Sequence, residues 1–175
     1  MKDKIKVKQG KVSRAQGKAF EVRTRADLES KGWIVDRWNN QVEFEEATKN
    51  IVDMGKKDFP MMAKGIKYGK LTPAKAKWNN FTKSMMMGSG GFPDFIAFRK
   101  HPGFNVKFNQ YEVIGIEAKM NGELDREEKE KCKWLLDNGV FSQIFIAEKT
   151  KVKNKVVIVY HDFKMKYYRF YGSKD

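Results

Sequence analysis

Four short apolar runs limit what this chain can fold into: FIAF at 95–98, VIGI at 113–116, IFIA at 144–147 and VVIVY at 156–160. Each has strand length and is rich in β-branched or aromatic side chains, so each reads as a strand with at least one covered face. Between the second and third stands DREEKEKCKWLLDNG, residues 125–139, with Asp125 placed as a helix cap and Gly139 as a stop. Strand, strand, helix, strand, strand is an α/β order. The expected fold is a mixed central β-sheet flanked by helices, and 175 residues suffice for one such domain with its own core.

Upstream, residues 1–12 alternate charge with isolated apolar residues and read as a basic arm or a short edge strand. SRAQ then predicts a capping box, with Ser13 as N-cap and Gln16 three positions on. The helix that follows offers two faces. Ala15, Ala19, Val22 and Ala26 make one narrow apolar stripe, whereas Gly17, Glu21 and Leu28 share another, and Gly32 is placed to end the helix. WIVDRW, residues 33–38, reads as the first core strand. The segment at about 39–87 reads as a helical insertion between the first and second core strands. It comprises a helix over 41–57, with Val42, Ala47, Ile51 and Met54 buried, and a shorter one in LTPAKAKWNNF, with Thr72 as its cap. Residues 13–175 are thus expected to form a single domain.

Charge supplies the first clue to function. Lys and Arg outnumber Asp and Glu by 36 to 22, a formal +14, and the excess is uneven. Residues 1–31 hold ten bases and four acids, and 149–175 hold eight bases and two acids, whereas 112–130 hold seven acids and three bases. A basic body attracts polyphosphate through counterion release, which points to nucleic acid. Carboxylates gathered near phosphate make sense where a divalent cation lies between them. No apolar run approaches the length of a membrane span, and a single cysteine, Cys132, rules out an internal disulfide. The expected setting is a soluble protein of the cytoplasm, with no membrane contact.

The acidic region and the strands meet at two places. Asp94 stands at the entry of the 95–98 strand, after GSGGFP. Glu117 and Lys119 stand at the exit of the 113–116 strand, two residues apart and so on one face. Paired as a hairpin, the two strands bring Asp94, Glu117 and Lys119 to one edge. Two carboxylates suit Mg²⁺, which keeps several waters and takes further ligands from phosphate, and an ammonium beside them can orient water.

FPDFIAF followed by VIGIEAK resembles the signature of the PD-(D/E)xK nuclease superfamily. GKAFEVRTRADLESKGW is similar to the first helix of archaeal Holliday-junction resolvases and related virus-type nucleases, with Gly17, Glu21, Leu28 and Gly32-Trp33 at matching spacings. The resemblance covers 13–147 apart from 39–87. It implies a restriction-endonuclease-like core and a Mg²⁺-dependent DNA endonuclease, with Mn²⁺ able to substitute. It also implies a preference for junction, flap or single-stranded DNA, and a homodimer. By the same resemblance Asp94, Glu117 and the Ala118 carbonyl would be metal ligands, and Lys119 would position the attacking water. Glu21 would ligate a second metal or hold one of its waters.

Each of these residues has a plainer reading. Glu21 can pair with Arg25 one turn on. Glu128, on the inward stripe of its helix, forms a capping box with Asp125 as readily as it joins the site. Trp78 and Phe81 suit a core or a stack on unpaired bases. Cys132 reads as a small buried side chain. A DNA-binding protein that keeps the fold without catalysis, or an RNase on the same site, fits the charge equally well.

Overall fold

A computed structural model describes residues 2–46, 67–80, 83–86, 90–100 and 111–167. It is an α/β structure built on a five-stranded sheet of order β1-β6-β7-β8-β9, formed by Ile34–Arg37, Phe95–Lys100, Tyr111–Lys119, Gln143–Val152 and Lys155–Asp162. All neighbours are antiparallel except β7 and β8, which are parallel and joined through α2, Arg126–Asp137. The expected mixed sheet flanked by helices is therefore the observed one.

Both faces of the sheet are covered. On one side α1, Lys2–Ser30, lays Phe20 and Leu28 on Val35, Phe95, Ala97, Ile114 and Ile116. On the other, α2 buries Cys132, Leu135 and Leu136 against Phe141, Ile144 and Ile146. Period-two alternation divides β8 between them: Ile144 and Ile146 face α2, whereas Phe145 and Ala147 belong to the α1 side. Double coverage is the reason β7 and β8 read as nearly unbroken apolar runs. The helix cap at Asp125 forms as expected. Its side chain accepts from the Glu128 N–H at 2.8 Å, and Glu128 Oε2 accepts from the Asp125 N–H at 2.9 Å. A five-residue helix, α3 at Phe163–Tyr167, follows β9.

The N-terminal expectation requires correction. Helix α1 starts at Lys2, so residues 2–12 are its first three turns instead of a separate arm or edge strand, and Ser13 lies inside it. The five lysines of this stretch have good helix propensity, which outweighs the single Gly10. The buried stripe is Phe20, Thr24 and Leu28, and the alternative stripe faces outward, with Val22 61% exposed. Gly32 ends the helix as expected, at φ +82°.

The insertion differs too. Residues 40–46 form β2, Asn40–Glu46, paired antiparallel with β3, Lys67–Pro73. QVEFE alternates apolar with acidic residues, a strand period in which Val42 is buried and Phe44 joins the α2 core. The expected helix over 41–57 is therefore strand in its first part, and residues 47–57, with Ala47, Ile51 and Met54, lie outside the described residues. Thr72-Pro73 ends β3 instead of opening a helix, and β4, Lys77–Asn79, pairs with β5, Ser84–Met86. Trp78 is exposed on β4; Phe81 lies outside the described residues. The β2–β3 hairpin packs against α2 so closely that a Cβ on Gly69 would fall 2.1 Å from the Trp134 indole.

The approach to Asp94 is governed by a backbone crossing. Phe92 N–H donates to Asn40 O at 2.8 Å, and Trp38 N–H donates to Asp94 O at 3.2 Å. Gly91 lies in this crossing, where a Cβ would meet Trp38 O at 2.1 Å and Asn40 O at 2.4 Å. Both obstacles are main chain and cannot swing aside. Gly91→Ala is therefore expected to lower unfolding free energy by about 1–3 kcal/mol in urea titration. A loss below about 0.5 kcal/mol would show that the crossing relaxes freely.

Candidate active site

The edge of the sheet where β1 ends, β6 begins and β7 ends carries the charged residues. In the β6–β7 register Phe95 lies opposite Ile116, so Asp94 falls opposite Glu117, and Arg37, opposite Phe95, comes in from β1. A pair of reciprocal contacts fixes the two carboxylates. Asp94 N–H donates to Glu117 Oε2 at 3.0 Å, and Ala118 N–H donates to Asp94 Oδ2 at 2.9 Å. Each acid thus accepts from the backbone of the other's strand. Asp94 Oδ1 has no hydrogen-bond partner among the described residues.

Lys119 lies on the same face as Glu117. Its Nζ is 3.2 Å from Glu117 Oε1 and bonds Glu128 Oε1, so α2 supplies the third charge of a carboxylate–ammonium–carboxylate row. Glu128 makes two contacts: one oxygen caps α2 and the other holds Lys119. Glu21 faces the edge from α1, and its partner is Arg37, at 2.8 Å, instead of Arg25, which pairs with Glu29. Arg37 is the charged residue at this edge that the sequence reading passed over. Its position near the end of a strand antiparallel to β6 was the available signal.

Burial sets the electrostatics. Glu117 is only 6% exposed, and its pKa is raised by desolvation first and by the negative charge of Asp94 second. Asp94 is raised by burial, against the pull of the Ala118 N–H, and Glu21 raises it further. Burial by itself would lower Lys119, yet its contacts with Glu128 and Glu117 hold it above its ordinary value, so it stands as an ammonium. Burial also pushes the Cys132 thiol far up, leaving it an inert core side chain.

Among the described residues, four carboxylates and two cations make up this edge, and two of the carboxylates are held together with Glu117 buried and Asp94 half-buried. That donor set suits a small divalent cation held by Asp94 and Glu117, with the Ala118 carbonyl as a further oxygen from the same strand. Among the described residues no three His, Cys, Asp or Glu side chains are grouped to hold a metal by themselves. Water and substrate oxygens would have to complete the shell, as Mg²⁺ ordinarily requires. Glu21, tied to Arg37, is not gathered with Asp94 and Glu117 into one ligand group. His161 pairs with Glu148 at 2.7 Å, and His101 lies outside the described residues.

Among the described residues no helix is long and apolar enough to cross a membrane. No protein-family model, no curated protein and no solved structure matches the chain.

Proposed function

We propose that this protein is a Mg²⁺-dependent DNA endonuclease of the PD-(D/E)xK kind, with its centre at Asp94, Glu117 and Lys119. The observation that carries the reading is the reciprocal bracket between Asp94 and Glu117, which holds a half-buried and a buried acid side by side next to an ammonium. A structural ion pair would need one acid per cation; here the second acid raises the pKa of the first. With Lys119 shared between Glu117 and Glu128, and Arg37 paired with Glu21, the two acids gain from a further cation.

Asp94 and Glu117 would hold the metal, which would supply Lewis-acid polarisation of a phosphoryl oxygen and lower the pKa of water. The remaining work falls to side chains. Lys119, fixed as an ammonium, donates to the attacking water and offsets charge on the pentacoordinate phosphorus, and it is not available as a base. Glu128 keeps Lys119 from rotating away. Arg37 stands at the rim with its guanidinium free to exchange Glu21 for phosphate. In-line attack by water would leave a 5′-phosphate and a 3′-hydroxyl. A homodimer would bring two such sites to a two-fold-symmetric substrate such as a junction. The lone cysteine accords with work in a reducing cytoplasm.

The test is a Mg²⁺-dependent digestion of single-stranded, duplex, flap and four-way-junction DNA, with RNA alongside, by wild type and Asp94→Ala. Internal cleavage of DNA by the wild type only is the expected result. Cleavage of RNA alone would make the site that of an RNase. Binding without cleavage of any substrate would leave a DNA-binding protein on this fold.

A further inference from the structure

The catalytic edge is not where the sheet stops. Strand β7 ends at Lys119, opposite Glu148 of the parallel strand β8, and β8 continues in the same direction for four more residues to Val152. There it turns back through Lys153 and Asn154, both at positive φ (48° and 62°), into β9. Two successive positive-φ residues make the tight hairpin turn whose twist matches that of its strands, so this is a preformed ribbon. At about 3.3 Å per residue it projects roughly 13 Å beyond Lys119, on the side where Asp94, Glu117 and Arg37 lie.

The ribbon is open on both faces. Val156 and Val157 point to opposite sides yet are 43% and 40% exposed, and Val152 near the tip is 53% exposed. Cover from α1 ends at Ile158, the last residue of β9 before the tip that packs on its core. Residues 149–155 carry Lys149, Lys151, Lys153 and Lys155 and no acid. Among the described residues none of these lysines has an ion-pair partner, unlike Lys31, Lys119, Lys131 and Lys166. The lysines ride on two strands whose remaining outward positions are small β-branched residues, so the ribbon is slim as well as basic.

We propose that this β8–β9 ribbon enters the major groove of duplex DNA beside the cleaved bond, so that the substrate must present a double-stranded arm to the catalytic edge. The inference rests on DNA being the substrate. A two-stranded ribbon fits the B-form major groove, about 12 Å wide, and the valines can meet thymine methyl groups while the lysines meet phosphate. The deep, narrow major groove of A-form RNA admits no such element, so the ribbon selects DNA over RNA through shape. Its attachment one strand from β7 fixes the distance between the bound arm and the scissile phosphate.

The test is the affinity of wild type and of a Lys149→Ala/Lys151→Ala/Lys153→Ala/Lys155→Ala variant for labelled duplex DNA, single-stranded DNA and duplex RNA. It is measured by anisotropy in EDTA, so that no cleavage intervenes. All four substitutions lie on or beside an exposed hairpin tip, and a thermal melt checks the fold. Duplex DNA affinity is expected to fall at least tenfold, with the salt slope lower by about 2–4, because each lost phosphate contact removes about 0.9. Single-stranded affinity is expected to change less than threefold, and wild type is expected to bind duplex RNA at least tenfold more weakly than duplex DNA. Equal losses on duplex and single strands, or equal wild-type affinity for the two duplexes, would overturn the groove assignment. Unchanged DNA affinity with new self-association would overturn it in favour of lysines that merely guard a sheet edge. Loss of duplex binding by the variant of a protein that cuts nothing in Mg²⁺ would sustain the ribbon and remove the nuclease. Undiminished binding by a variant that still cuts would do the reverse.

Discussion

Lys119→Ala is expected to reduce turnover of a cleavable DNA by about 10²–10³-fold or more while leaving DNA affinity within about twofold. The two quantities separate because they draw on different numbers of charges. Affinity for phosphate is shared among 36 Lys and Arg, and Lys119 is mostly covered and already committed to Glu117 and Glu128. Turnover is expected to depend on one ammonium standing where water and developing charge would lie. Metal affinity is the third readout. Removing Lys119 takes a positive charge from beside Glu117, so Mg²⁺ binding followed by calorimetry is expected to hold or tighten. Affinity and rate falling together would assign Lys119 to substrate binding. An undiminished rate would take it out of the mechanism.

The second large effect concerns stability, which replacing one buried carboxylate is expected to raise. Burial and the neighbouring Asp94 raise the Glu117 pKa above its ordinary 4.5 in the folded protein. A carboxyl raised on folding binds its proton more tightly in the native state. Its contribution is therefore fully present below the unfolded value and is lost as pH climbs toward the folded one. Asp94 is raised in the same direction. Metal-free wild type is expected to lose stability between pH 5 and pH 9, and Glu117→Gln, which keeps the neutral form's shape, is expected to lose much less. At pH 9 the variant should lead by on the order of 2 kcal/mol in urea titration. Mg²⁺ should close the gap by stabilising wild type alone, since the amide offers a weaker ligand. Parallel pH profiles for the two proteins, with or without Mg²⁺, would mean that Glu117 is not strained by its burial. The metal reading would then lose its main support.

Both predictions rest on residues whose place in the sequence already marks them. Asp94, Glu117 and Lys119 stand where apolar runs begin or end, and a strand's face alternation is enough to place Glu117 and Lys119 together. Strands β6 to β9 and helix α2 are legible for the same reason: their burial is written as local periodicity, and the Asp125–Glu128 box is complete within four residues. Phe20, Thr24 and Leu28 show where that local legibility ends. Two faces of α1 carry apolar residues, and only the presence of the sheet beneath one of them decides which is buried.

What tertiary structure alone decided involves partners far apart in sequence. QVEFE pairs with a strand that begins at Lys67 and packs on Trp134, so its extended form depends on contacts that no window of neighbouring residues contains. Glu21 has a local partner within reach in Arg25 but takes Arg37, sixteen residues on, because β1 is held antiparallel to β6. Gly91 is required by the backbone of residues 38–40, and the direction of the β8–β9 ribbon follows from the parallel pairing of β7 and β8. The sequence alone determined the strands, the second helix and three charges at one edge, because burial period and strand ends are local properties. The pairing of those charges with Glu21, Arg37 and Glu128, and the ribbon that extends past them, came only with the register of the sheet.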